Sequence, residues 1–164
     1  MSSSKSVVTP LASHFKLSCS LCLRTDEERC EMTKVPYANV IGCMMYAMVL
    51  TRPDLAHALS IVSRFMASPG KEHWKAVKWV LRYLKGTQGY GLVYGKSSGK
   101  EVGLCGFVDS DFAGDLDRRR SLIGYMFFLD GCLVNWRASL QHVVAFSTIE
   151  AEYTAATEAV KEAL

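Results

Sequence analysis

The chain has 164 residues, of which 49% are hydrophobic and 21% charged. That is the make-up of a folded chain with room for one medium domain or two small ones, and it excludes a disordered or low-complexity segment. The formal net charge of +3 hides a division: residues 1–35 carry five bases and four acids, residues 36–99 eight bases and two acids, and residues 100–164 six bases and ten acids. A basic block before an acidic one suits a polyanion-binding surface beside a carboxylate site, and equally suits an ordinary solvated surface.

Met1 to Pro10 has no apolar stretch of the secretory-signal kind, and the longest apolar run, Val40 to Leu50, is too short to span a bilayer. Of the six cysteines (Cys19, Cys22, Cys30, Cys43, Cys105 and Cys132), Cys43 and Cys105 sit in apolar runs and read as small buried hydrophobes. The expectation is a reducing, intracellular compartment, no structural disulfides and no membrane partner.

Residues 1–35 are Ser-rich and then charged, with little periodicity, and read as a loosely ordered lead-in. From Pro36 the pattern turns helical. Tyr37 to Leu50 is apolar almost all round and predicts a buried helix. Thr51-Arg52-Pro53-Asp54 breaks the chain and restarts it, Pro and Asp suiting a first helical turn. Leu55 to Met66 is the next helix, closed by Ser68-Pro69-Gly70. In Lys71 to Lys85, Trp74, Val77, Leu81 and Leu84 form an apolar stripe. Lys71, Lys75, Lys78, Arg82 and Lys85 recur at the same spacing, one residue round. At about 1.5 Å per residue this row of cations is roughly 20 Å long. It suits contact with a nucleic-acid backbone, or a solvated face of snorkelling side chains.

A boundary falls near 87–100, and the period then changes to two. Val102 to Asp109 predicts a strand with Asp109 at its C-terminal end. Leu122 to Leu129 is a second strand, Asp130-Gly131 a two-residue hairpin turn, and Leu133 to Trp136 a third strand that His142 to Phe146 continues after a bend. Ser147-Thr148-Ile149-Glu150 is a capping box opening a helix whose stripe is Ala151, Ala155 and Ala159, with Glu152 alongside. Helices followed by hairpin-linked strands make the chain α+β.

Asp109 and Glu152 are the candidate chemical pair. Asp109 ends an otherwise apolar strand, and Glu152 lies among small residues on a face expected to press on the sheet, where a carboxylate is costly unless paired or metal-bound. Two such oxygen-rich groups can hold a divalent cation, although either acid can also be structural. Glu150 is assigned to the cap, and Asp115 and Asp117 to a polar turn with Arg118 to Arg120. Asp109 to Arg120 fails as an EF-hand loop, with Ala113 at position 5 and Arg120 at position 12. His14, Cys19, Cys22 and Cys30 contain one CxxC without a second pair, poor grounds for zinc.

Several longer motifs stand in order: Val35-Pro36-Tyr37-Ala38, Leu50-Thr51-Arg52-Pro53-Asp54, His73-Trp74-Lys75-Ala76-Val77-Lys78-Trp79, Phe107-Val108-Asp109-Ser110-Asp111-Phe112-Ala113-Gly114-Asp115, and Ser147-Thr148-Ile149-Glu150-Ala151-Glu152-Tyr153. With them the chain resembles, over nearly all its length, the Pol polyproteins of copia-type LTR retrotransposons, from the end of the reverse transcriptase region into a ribonuclease H domain. The resemblance implies a helical connection segment over 36–95 and, over 100–164, the N-terminal half of a ribonuclease H-like fold: three antiparallel strands and the first helix. It implies Mg²⁺-dependent cutting of RNA in an RNA–DNA hybrid, with Asp109 and Glu152 as catalytic metal ligands and the remainder of the polyprotein as partner. It also implies two further aspartates beyond the equivalent of Leu164. These 164 residues are therefore expected to be a truncated domain with little or no nuclease activity alone. A noncatalytic nucleic-acid-binding module using Lys71 to Lys85 is the competing expectation.

Overall fold

The computed structural model describes residues 4–95 and 103–164. Its helices are α1 (Asp26–Thr33), α2 (Tyr37–Leu50), α3 (Ala56–Val62), α4 (Lys71–Gly86) and α5 (Thr148–Ala163), and its strands β1 (Leu104–Asp111), β2 (Leu122–Leu129) and β3 (Cys132–Leu140). The order is helices first, then an antiparallel sheet, then a helix, so the chain is α+β. It divides into two compact units, Met1–Tyr90 and Gly91–Leu164. Val102, the expected start of the first strand, lies outside the described residues.

The first unit is built on a core of Tyr37, Ile41 and Met44 from α2, Leu55, Leu59, Val62 and Phe65 from the α3 region, and Ala76, Val77, Val80 and Tyr83 from α4. Each fully buried aliphatic side chain of this set stabilises the fold by roughly 1.5–3 kcal/mol before the entropy of ordering it is subtracted. The α4 stripe departs from the expected one. His73, Ala76, Val77, Val80 and Tyr83 are buried, while Trp74, Leu81 and Leu84 are partly buried at the edge of the core. The helix is therefore turned so that its small and β-branched residues press on α2 and α3, and the wide side chains flank the contact. His73 is held there by stacking on Phe65 at 4.0 Å, and its Nδ1 accepts the Gly70 N–H at 2.8 Å, satisfying a backbone donor at the start of α4. A Cβ on Gly70 would stand 1.9 Å from the Leu21 carbonyl oxygen, so this position has room only for glycine.

Two expectations in this unit are corrected. The apolar helix α2 is not buried all round: Tyr37, Ile41 and Met44 are covered, but Tyr46 is 71% and Val49 62% exposed. Cys43 is exposed as well, and so is Cys105 in the second unit. Helices α3 and α4 cover one stripe of α2. The lead-in is also more ordered than its composition predicts. Leu17 and Met32 are buried, and Val7, Leu11 and Phe15 pack against the core. Helix α1 has a capping box, with Thr25 Oγ1 accepting the Glu28 N–H at 3.3 Å and Glu28 Oε2 accepting the Thr25 N–H at 3.4 Å. An extended segment meets its neighbour at irregular intervals, which leaves no period to read.

Arg52 ties the unit together. It is 7% exposed, and its guanidinium donates to Asp54 Oδ1 at 2.9 Å, Asp54 Oδ2 at 2.7 Å, the Thr87 carbonyl at 3.2 Å and Thr87 Oγ1 at 2.6 Å. The Tyr83 hydroxyl donates to Asp54 Oδ2 at 2.8 Å. The break after α2 is thereby fastened to the C-terminal end of α4. Burial acts to raise the Asp54 carboxyl, but hydrogen bonds from Arg52 and Tyr83 and the charge of Arg52 outweigh it and hold the group below the ordinary carboxylate range.

In the second unit the sheet order is β1-β2-β3, all antiparallel. The β2–β3 turn is the expected one: Asp130 (φ 52°) and Gly131 (φ 78°) both have positive φ, the type I′ geometry of an Asp-Gly hairpin. The third strand runs on to Leu140, and residues 142–146 do not continue it. They form the loop into α5. Ile123, Tyr125 and Phe127 pack with Ala155 and Ala159 of α5, the alanines letting the helix lie close. Ser147 Oγ accepts the Glu150 N–H at 3.1 Å, but Glu150 Oε2 accepts from Phe146 N–H at 2.7 Å, so the cap reaches one residue further back than a capping box does.

Arg52→Ala is expected to destabilise the first unit by about 3 kcal/mol, the low end of the cost of breaking a buried pair, because the Asp54 side chain is 31% exposed. Urea unfolding followed by Trp74 and Trp79 fluorescence checks it. Since the folded carboxyl of Asp54 is depressed, its stabilisation is complete above the unfolded pKa and is lost as pH falls through the folded one. The same urea midpoint should drop below about pH 4, less steeply in Asp54→Asn.

Candidate functional site

Two candidate regions were legible in the sequence, one in each unit. In the second unit, Asp109 lies in β1 opposite Gly124 of β2. Paired residues share a face of the sheet. Gly106, Val108 and Ser110 thus lie with Phe127, Tyr125 and Ile123 toward α5, and Asp109 lies on the other face with Phe107 and Met126. Asp109 and Glu152 are both exposed, and no hydrogen bond or ion pair joins them. Glu152 is not pressed onto the sheet as its alanine neighbours predicted: Ala151, Ala155 and Ala159 take the inner face, and Glu152 stands one residue round. Among the described residues no three His, Cys, Asp or Glu side chains converge as a metal site. Asp115 is buried in the turn after β1, where its Oδ1 accepts the Asp117 N–H at 3.1 Å and its backbone bonds to Arg120 and Arg119. That is the polar turn the sequence predicts.

What does connect the segments that carry these two acids is Gln141, which sequence reading missed. It is 1% exposed. Its Nε2 donates to the Ala151 carbonyl at 2.8 Å and, at 3.5 Å, to Ser110 Oγ. Gln141 thus links the residue after Asp109 to the residue before Glu152. Its only sequence signal is a polar side chain between Leu140 and the apolar run Val143 to Phe146. Gln141→Ala should cost about 1–3 kcal/mol, the cost of leaving buried polar groups without partners. Thermal unfolding followed by near-ultraviolet circular dichroism of Trp136 is the measurement.

In the first unit, the cation row is only partly open. Lys71 Nζ pairs with Glu31 at 2.8 Å and Lys75 Nζ with Glu72 at 2.5 Å. Glu72 reaches the row at i,i+3. Arg82 Nε donates to the Lys5 carbonyl at 2.6 Å and Lys85 Nζ to the Ser4 carbonyl at 2.8 Å. Trp79 Nε1 donates to the Thr9 carbonyl at 2.9 Å. The Lys78 side chain makes no hydrogen bond or ion pair among the described residues. The N-terminal segment therefore runs beside this face of α4 and borders a cleft of about 640 Å³ whose lining includes His14, Phe15, Lys16, Lys75, Lys78, Trp79 and Arg82.

The chain is 54% identical over 162 residues to a retrovirus-related Pol polyprotein from transposon TNT 1-94 of Nicotiana tabacum, a match covering 99% of this chain and 12% of that protein. It is 36% identical over 157 residues to the Pol polyprotein from transposon RE2 of Arabidopsis thaliana, covering 93% and 10% respectively. A protein named secreted RxLR effector protein 161, from Plasmopara viticola, is 47% identical over 133 residues, 81% of this chain and 92% of its own length. No family profile and no solved structure matches the chain. The chain belongs to the copia-type, retrovirus-related Pol polyproteins of transposons. It spans roughly a tenth of the length of the Pol polyproteins it matches.

Proposed function

We propose that this chain is the part of a copia-type Pol polyprotein that leads from the end of the reverse transcriptase region into a ribonuclease H domain. Asp109 and Glu152 are its Mg²⁺ ligands, RNA–DNA hybrid is the substrate of the completed domain, and the rest of the polyprotein is its partner. The observation that carries this reading is the order β1-β2-β3-α5, antiparallel and hairpin-linked, with Asp109 two residues before the end of β1, on the face away from α5, and Glu152 in the first turns of α5. Exposed apolar side chains fit a piece that packs on more protein: Phe107 is 58% exposed on β1, an edge strand, and Tyr46 and Val49 stand open on α2. Among the described residues no disulfide forms and no helix is long and apolar enough to cross a membrane.

The donor set fits Mg²⁺ in kind, since that ion takes one or two carboxylates and keeps several waters. When bound, the ion activates water and steadies the leaving oxygen of a phosphodiester. Asp109 and Glu152 supply hard oxygen donors, and Gln141 fixes the spacing of the backbone between them. Two carboxylates are too few to hold a pair of ions in register, so these 164 residues by themselves have little or no nuclease activity.

The test compares the chain with an extended form of it. The purified chain should not cleave a labelled RNA–DNA hybrid in Mg²⁺. A chimera extended beyond Leu164 with the continuation of the TNT 1-94 relative should cleave it, and should lose at least roughly a hundredfold in rate on Asp109→Asn or Glu152→Gln. A chimera that cleaves undiminished with both substitutions would remove these residues from the site. A second reading, a noncatalytic nucleic-acid-binding chain using Lys71 to Lys85, is favoured by the cationic cleft beside α4.

A further inference from the structure

We propose that the cleft between the N-terminal segment and α4 binds single-stranded nucleic acid, seating a base against His14, Phe15 and Trp79 and the adjoining phosphates on Lys16 and Lys78. This rests on the second reading above and gives it a site and a ligand class. The volume of about 640 Å³ lies within the range of small-ligand sites and accommodates a nucleotide. Its wall is aromatic. His14 and Phe15 have ring centroids 4.3 Å apart, and both meet Trp79 edge-on, at 5.5 Å and 5.7 Å. Trp79 is fixed, with its indole N–H bonded to Thr9 and the Arg82 guanidinium 5.2 Å from its ring centroid. His14 is exposed at the mouth and offers an aromatic face.

The lining is cationic. Lys16, Lys75, Lys78 and Arg82 face a single acid, Glu72, which already holds Lys75. The ammonium groups of Lys16 and Lys78 make no hydrogen bond or ion pair among the described residues, so they can receive phosphate without first breaking a contact. Stacking platforms joined to a positive groove are how proteins hold single strands, because an unstacked base presents a face that a duplex keeps inside. Duplex binding along the whole of α4 is disfavoured by the ends of the row, where Lys71 is engaged by Glu31 and Lys85 by the Ser4 carbonyl.

The test is fluorescence anisotropy of a short labelled oligothymidylate and, separately, a labelled RNA–DNA hybrid, on the full chain at several salt concentrations. Lys34→Ala, an exposed cation away from the cleft, serves as control, and circular dichroism confirms folding. The oligothymidylate should bind, with a log–log salt slope that falls by about 1.4 in Lys16→Ala/Lys78→Ala. His14→Ala should weaken binding at least roughly fivefold, the low end for losing one base–aromatic stack, and Lys34→Ala should leave it unchanged. Binding that ignores the His14 and Lys16/Lys78 changes but falls with Lys71→Ala/Lys85→Ala would overturn the cleft and keep the second reading. Binding of the hybrid alone would do the same. Displacement by polyglutamate as effective as by unlabelled oligothymidylate would overturn the base-stacking element. Binding of neither probe would overturn both the inference and the reading it rests on.

Discussion

A guanidinium carried out of water must find its hydrogen-bond acceptors in the protein, and Arg52 finds them at two distant places in the chain, Asp54 and Thr87. The forked, always-charged group fits a carboxylate on one side and a helix-end carbonyl and hydroxyl on the other. Much else in the first unit is compatible only with that clamp. Pro53 and Asp54 start the turn into α3, Tyr83 is drawn toward the Asp54 carboxylate, and the end of α4 is fixed by Thr87, whose hydroxyl also donates to the Tyr83 carbonyl at 3.0 Å. With α4 fixed at that end, its rotation is set, and the rotation decides which side chains are core and which remain outside.

That rotation has a chemical consequence. Burying His73, Ala76, Val77, Val80 and Tyr83 leaves Lys75, Lys78, Trp79 and Arg82 on one outer face, where the backbone of residues 4–17 is fastened by Trp79, Arg82 and Lys85. Two side chains of the would-be binding row, Arg82 and Lys85, and Trp79 beside it thus serve as donors to the chain's own carbonyls. The charges are not lost in doing so, and an aromatic cleft with cations along it results. In the second unit the corresponding constraint is the alanine stripe of α5. It brings the helix close to the sheet, and Gln141 then bridges to the Ala151 carbonyl.

Local chemistry was legible in the sequence wherever one residue type dictates the backbone. The Asp130-Gly131 turn, the Ser147 cap and the three strands follow from period and turn preference. Non-local fastening was not. Residues 4–17 pack by irregular contacts, so their order could not be read from composition. The covered stripe of α4 lies one residue round from the expected one because a stripe drawn through the largest apolar side chains ignores which faces can approach a neighbour. Asp109 and Glu152 were picked for the cost of burying a carboxylate, yet both are exposed in these 164 residues. The strand expected to end at Asp109 runs on to Asp111, and the candidacy of the two acids rests on family membership, on their places near the strand end and the helix start, and on the Gln141 link between the segments that carry them.

The central claim is that Asp109 and Glu152 act on one cation. Paramagnetic broadening of backbone amide signals by Mn²⁺, a stand-in for Mg²⁺, tests it on the chain as it is. The account predicts that signals of residues 108–112 and 151–154 broaden together at the same Mn²⁺ concentration, and that Asp109→Asn suppresses the broadening of both segments. Broadening of one segment without the other, or broadening centred instead on the Asp115–Asp117 turn, would contradict it.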